Sequence, residues 1–233
     1  IYIVCFGGFT LLAFNAPDKK SLFWSGWSFG FGYFTFGLYW ISLALHVDWA
    51  TWWWLTPFAA VGLPIVLSIY YGLATLCVTR FRLQPLKFTL AITLSFSIAE
   101  YLRGTLFTGF PWNLPSYIWV DSPLGQNLSW GGAYTLNICV FMSAALLGLS
   151  LYKKRFSLYA AILVVILYAF GFTVLHTSGA QMAQTEHNIM IVQPNIPQIE
   201  KWDRQLEKEH FEKIIQLTGP ASENTAEYIL WRE

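Results

Sequence analysis

The sequence predicts a multi-span α-helical membrane bundle followed by the opening βαβ unit of an α/β domain. Three observations carry that prediction. Of the 233 residues, 55% are hydrophobic and only 12% charged, about half the ~25% charged content of soluble proteins. Several stretches run uncharged for the roughly 20 residues that a helix needs to cross a bilayer core. Charge is also divided along the chain. Nine Lys/Arg face four acidic residues up to His176, and five face nine from Thr177 onward, within a total of +1. The domains expected are a membrane part over 1–176, a linker over 177–187 and the start of an external domain over 188–233.

Mean hydropathy is +0.46, and the chain carries 19 Phe, 12 Tyr and 12 Trp. Disorder, coiled coil and nucleic-acid binding need far more charge than this, so no nucleic-acid partner is expected. The partner that composition points to is the lipid bilayer.

Ser21–Leu45, Ala50–Thr79, Ala133–Tyr152 and Phe156–Leu175 read as spans. Phe88–Leu102 is a shorter span carrying Glu100, and Ile1–Phe14 reads as a span already under way. That makes six crossings with the first partial, as expected of a piece of a longer protein. Pro57 and Pro64 in the longest stretch predict a kink or a tilted start. Lys19, Lys20, Arg80, Arg82, Lys87, Lys153, Lys154 and Arg155 fall in alternate loops, with Arg103 alone at the edge of the other set. The positive-inside rule makes those alternate loops cytoplasmic and puts everything after His176 outside.

Trp49, Trp52, Trp53 and Trp54 gather where an interfacial aromatic belt would sit, and a ligand cage is the alternative. Tyr70, Tyr71 and the run Phe29–Phe36 suit helix packing or lipid contact. Residues 104–132 form a loop too apolar for a solvated linker, with three Pro and three Trp and only Asp121 charged after Arg103. It either lines a cleft at headgroup level or plugs a gap between helices. Glu100 and Arg103 share a helical face at i,i+3. An intramembrane carboxylate marks a functional candidate, and an ion pair near the helix end accounts for it equally well.

Cys5, Cys77 and Cys139 lie in apolar stretches and are expected as small buried side chains, not as a disulfide framework. The four His are scattered at 46, 176, 187 and 210, and no Gly-rich phosphate loop precedes a helix, so no metal or nucleotide cofactor is expected. In the tail, Asn188–Gln193 reads as a buried strand. Asp203 stands as an N-cap ahead of a helix over Arg204–Thr218 that Gly219-Pro220 stops, and Tyr228–Trp231 reads as a second strand. Strand, helix, strand makes one βαβ unit, too small to offset its ordering entropy alone.

The string TGFPWNLPSY (108–117) after AEYLRG (99–104) closely resembles the bacterial apolipoprotein N-acyltransferases. So do SFGFGYFTFGLYWISLAL (28–45) and the run IVQPNIPQIEKWD (191–203). The ending ILWRE (229–233) resembles the strand end that carries the first catalytic residue of the nitrilase-like fold. The resemblance implies a membrane bundle in the bacterial inner membrane bearing a periplasmic nitrilase-like domain. It implies an acyl donor that is a phospholipid and an acceptor that is the N-terminal diacylglyceryl-cysteine of an apolipoprotein. The acyl chain passes through a Cys thioester, with a Glu as general base and a Lys at the oxyanion. Glu233 matches that base, and Trp202 matches a residue lining the substrate entrance. No residue matches the nucleophilic Cys or the Lys, so the 233 residues alone are expected to be inactive. Arg232 stands where the family has Pro.

Other readings stay open at this level. A non-catalytic remnant, or a membrane piece completed by a separate partner, has the same residues. A transporter with an external cap would need discontinuous Gly/Pro pairs in matched halves and more than one intramembrane acid.

Overall fold

The computed structural model describes residues 1–81, 84–177, 187–197, 200–201, 203–220 and 226–231. It divides into two compact units, Ile1–Leu43 with Trp54–Gly179, and Ala44–Trp53 with Ala180–Glu233.

The described elements of the first unit are helical, joined by irregular loops, and the short helical stretch Ala44–Trp53 within the same run of chain is grouped with the second unit. Helix α1 covers Tyr2–Phe14 and α2 covers Lys19–Leu38. The Asp18 carboxylate accepts the Ser21 backbone N–H at 2.7 Å and so caps the start of α2. A 3₁₀ stretch, Tyr39–Asp48, continues from α2 into the four-residue α3, Trp49–Trp52, and a turn over Trp53–Leu55 precedes α4, Thr56–Cys77. Pro57 lies in the first turn of α4, where its missing N–H leaves no bond unmade, and Pro64 lies inside it. Helix α5 covers Pro85–Thr105, α6 Leu128–Leu149 and α7 Arg155–Thr177. Gly132, at φ 72°, breaks α6 near its start.

Among the described residues four helical stretches are long and apolar enough to cross a membrane: Lys19–His46, Trp49–Phe81, Pro123–Leu149 and Arg155–Thr177. Three of the four long spans expected from the sequence lie inside these stretches, and the fourth, Ala133–Tyr152, overlaps Pro123–Leu149 but runs three residues past its end. Helix α1 is shorter than a full crossing. Helix α5 has the length but carries Lys87, Glu100 and Arg103.

Aromatic side chains fill the core. Phe6 packs edge-on to Phe96 at 5.0 Å between ring centres, and Tyr71 lies 4.7 Å from Phe96. Helices approach closely where glycine allows it. A Cβ at Gly148 of α6 would lie 2.1 Å from the Gly7 carbonyl of α1, and one at Gly26 of α2 would lie 2.6 Å from the Tyr71 carbonyl of α4. Packing of this kind holds membrane helices together, where apolar burial itself gives no drive. The cysteines depart from expectation: Cys5 and Cys77 face outward and Cys139 is half-buried. A thiol on an apolar helix suits lipid as well as protein, so composition alone does not fix which side it takes.

In the second unit, β1 (Ile189–Val192) and β2 (Tyr228–Trp231) pair in parallel, with Ile189 opposite Tyr228 and Val192 opposite Trp231. Helix α8, Glu207–Thr218, lies between them in sequence. It starts later than expected. The Asp203 carboxylate accepts the Gln205 N–H at 2.8 Å, closing a local turn instead of capping a helix at Arg204. Gly219, at φ 73°, ends α8 as expected. Ile189, Ile191, Phe211, Ile215 and Leu230 remain exposed, while Val192 is buried.

Candidate functional site

The sequence singles out Glu100 and Arg103, and the fold makes them the polar centre of the first unit. Position 103 is one turn beyond 100 on α5, so both side chains leave the same face. Their side chains are fully buried. Arg103 Nη2 lies 2.6 Å from Glu100 Oε2 and Nε lies 3.2 Å from Oε1. This is a two-pronged guanidinium–carboxylate pair, the geometry that best offsets the cost of burying both charges. The Tyr71 hydroxyl of α4 donates to Glu100 Oε1 at 2.9 Å.

The other side of Arg103 holds the following loop. Nη1 donates to the carbonyls of Phe110 at 2.5 Å and Trp112 at 2.9 Å. The Phe110 N–H donates back to the Arg103 carbonyl at 2.8 Å. From α2, the Tyr33 hydroxyl donates to the Asn113 carbonyl at 2.6 Å, and the Phe34 ring lies 5.1 Å from the guanidinium carbon. Three successive parts of the GFPWN segment are thus tied to two helices.

The ties matter because the backbone here is strained. Phe107, Thr108 and Asn113 have φ of 53°, 77° and 58°. A left-handed conformation costs a residue such as Phe or Thr about 1–2 kcal/mol, while Asn enters it more readily, and the bonds to Phe110, Trp112 and Asn113 brace the segment on one side of Phe107 and Thr108. Gly109, at φ 80°, supplies the turn where a Cβ would lie 2.3 Å from the Gly104 carbonyl. Outward from this frame stand Phe107 and Trp112, both exposed.

The rest of the loop behaves differently. Pro115, Ser116, Trp119, Leu124 and Gly125 are buried in two 3₁₀ turns, Pro115–Trp119 and Pro123–Asn127. The Ser116 N–H donates to Asn137 Oδ1 of α6 at 2.7 Å, and Asn127 Nδ2 donates to the Leu167 carbonyl of α7 at 3.0 Å. Residues 115–127 thus form a plug between helices, and 107–113 form a pinned, outward-facing platform.

Trp49, Trp52, Trp53 and Trp54 are all exposed, as an interfacial belt requires. Glu233 and Trp202 lie outside the described residues. Among the described residues no group of three His, Cys, Asp or Glu is placed to hold a metal. Sequence reasoning missed the hydroxyls of Tyr71 and Tyr33 and the role of the Phe110 and Trp112 carbonyls. Nothing local signals them, because each partner lies on another helix or on backbone.

Comparison with known proteins places the chain in a family. The family profile described as "Apolipoprotein N-acyltransferase N-terminal domain" matches residues 1–146. Proteins named apolipoprotein N-acyltransferase are similar to the chain along most of its length. The one from Allorhizobium ampelinum is 35% identical over 232 residues, covering 93% of this chain and 43% of its own. Those from Rhizobium meliloti and Brucella suis are 36% and 35% identical and cover 89% of this chain, with 40% and 41% of their own lengths matched. The chain thus spans well under half the length of these relatives. By the profile match over 1–146 and these identities, the chain belongs to the apolipoprotein N-acyltransferase family, with residues 1–146 matching that family's N-terminal domain.

Proposed function

We propose that the chain is the membrane-embedded front part of an enzyme that moves an acyl chain from a phospholipid to an apolipoprotein. The acceptor is the free α-amino group of the lipoprotein's N-terminal diacylglyceryl-cysteine. Family membership carries this reading, and the pinned GFPWN platform supports it by offering a fixed apolar surface at one end of the helices. In this reading α1 and α5 join the four long spans to make six crossings of the bacterial inner membrane, and the basic loops lie on the cytoplasmic side. The segment from 188 onward opens a periplasmic nitrilase-like domain, with β1, α8 and β2 as its first βαβ unit.

Thioester chemistry suits this transfer. A thiolate takes the acyl group from the lipid ester as the ester C–O bond breaks, and the lysophospholipid leaves as its alcohol with the proton held by the base. The amine then displaces the thioester, forming the amide and returning the thiol. Glu233 is the proposed general base, taking the proton from the thiol and later from the amine. Trp202 is proposed to line the substrate entrance. The nucleophile and an oxyanion-stabilising Lys are expected from residues beyond this stretch, since Cys5 and Cys77 lie outward on apolar helices.

The test is mass spectrometry of lipoprotein N-termini in a strain depleted of its own N-acyltransferase. The gene read through beyond codon 233 restores the third acyl chain, and the 233-residue chain alone does not. With Glu233→Gln in the extended protein the acyl-enzyme fails to form, and normal acyl-enzyme in that variant would overturn the role of Glu233.

A further inference from the structure

Three connections of the first unit meet at one end. The Tyr152 hydroxyl, just past α6, donates to Asn15 Oδ1, just past α1, at 2.5 Å. The Phe14 ring lies 5.0 Å from Tyr152 and 5.2 Å from Phe88 near the start of α5. The Thr75 hydroxyl near the end of α4 donates to the Leu22 carbonyl near the start of α2 at 2.9 Å. These ties gather exposed cations that are far apart in sequence. Lys19 and Lys20 open α2, Arg80 follows α4 in a 3₁₀ turn, and Lys87 lies in the first turn of α5. Lys153, Lys154 and Arg155 lead from α6 into α7. Among the described residues Asp18 is the one acid at this end, and its carboxylate is turned to the Ser21 N–H. No carboxylate among the described residues comes within salt-bridge distance of any of these cations.

The other end of α5 differs. Glu100 and Arg103 cancel each other there, and Asp121 is the remaining charge of the loop that follows. Unbalanced positive charge is thus confined to one end of the unit. The helices themselves do not explain it. None of α2, α5 and α7 has an acid in its first turn, although the helix dipole favours an acid there and disfavours the cations found. The side chains beside the cations identify the missing anion. Phe81, Leu86, Leu151 and Leu158 are exposed and apolar, each within a few positions of Arg80, Lys87, Lys154 or Arg155. The cations therefore stand on the rim of a lipid-facing surface, their stems along apolar groups and their charged tips at headgroup depth. A soluble polyanion would meet that apolar rim without a partner for it, whereas a lipid phosphate arrives with one. We infer that this end of the bundle docks the headgroup phosphates of anionic glycerophospholipids, held as neighbours of the helices and not consumed. A zwitterionic lipid fits less well, because its own ammonium offsets the phosphate. The surface is separate from acyl transfer, since it lies at the opposite end of α5 from Arg103 and the GFPWN platform.

The experiment places the whole chain in phosphatidylcholine vesicles and adds spin-labelled phosphatidylglycerol or spin-labelled phosphatidylcholine as the probe. Electron paramagnetic resonance gives the fraction of each probe immobilised against protein. At low ionic strength phosphatidylglycerol is expected to associate about fivefold more strongly than phosphatidylcholine, the effect of one cation near a lipid surface. The preference falls toward parity in about 1 M sodium chloride, where charges are screened within about 3 Å. Lys153→Gln, Lys154→Gln and Arg155→Gln together remove most of it. Lys208→Gln with Lys213→Gln, exposed positions of the second unit, leave it unchanged. Should the triple variant fail to fold, Lys87→Gln, a single exposed position, takes its place and lowers the preference. Equal association of the two lipids at low salt would overturn the proposal, as would a preference that survives high salt or persists in full in the variants. So would loss of the preference in sodium phosphate but not in sodium chloride of equal ionic strength, which would mark a site for free phosphate instead of lipid.

Discussion

Replacing Arg103 with Met keeps most of the side-chain volume and removes the charge, which isolates what the guanidinium does. Three losses follow at once. Glu100, fully buried, keeps only the Tyr71 hydroxyl as a partner. The carbonyls of Phe110 and Trp112 lose their donor, and the segment that carries three left-handed residues loses two of its ties to α5. Removing one member of a buried ion pair costs about 3–5 kcal/mol, and the loop losses fall inside the same disruption and do not add in full. The expected destabilisation of Arg103→Met is therefore about 3–5 kcal/mol. Glu100→Gln paired with Arg103→Met leaves no buried charge, so the double variant is expected to regain about 2 kcal/mol or more over Arg103→Met. The assay is reversible unfolding in mixed micelles titrated with dodecyl sulfate, followed by tryptophan fluorescence. Limited proteolysis between residues 106 and 114 reports on the loop separately. Two results would refute the reasoning: a cost for Arg103→Met below about 1 kcal/mol, the level of an exposed pair, or a double variant less stable than the single.

Three further outcomes are expected. Gly148→Leu drives a side chain into the Gly7 carbonyl and parts α1 from α6, lowering stability by at least the ~1–3 kcal/mol of ordinary overpacking; Gly8→Leu in the same titration is neutral. Hydrogen bonding from the Ser21 backbone N–H holds the Asp18 carboxyl below the usual carboxylate range. Its capping of α2 is therefore complete at neutral pH and is lost as pH falls through the depressed value, which amide exchange at Ser21 reads out, and Asp18→Ala abolishes that pH dependence. A protease-sensitive tag after Glu233 is expected to be cleaved from outside in intact spheroplasts, and protection there would reverse the topology argued from the basic loops.

The long helices were legible because their cause is local. Uncharged runs such as Arg155–Thr177 need only length and apolarity, and both are written in order along the chain. Proline and glycine punctuation was legible for the same reason, at Pro57 and Gly219. The pairing of Glu100 with Arg103 could be read because i,i+3 spacing is itself a contact in a helix. Asp203 shows where local reading fails: its carboxylate closes a turn on Gln205 where a helix cap had an equal claim.

Everything that turns Glu100 and Arg103 into a site was decided by tertiary structure. Tyr71 is 29 positions from Glu100, and Tyr33 is 80 from Asn113. No periodicity links such residues, and only the packing of α2, α4 and α5 brings them together. The outward face of Cys5 and Cys77 and the buried half of the 104–132 loop share that origin. The sequence by itself determined which segments are greasy enough to be helices in a membrane, because that depends on each segment's own transfer energy. Which face of each helix meets protein and which meets lipid was left to the fold, because among equally apolar side chains only shape and a few hydrogen bonds choose between them.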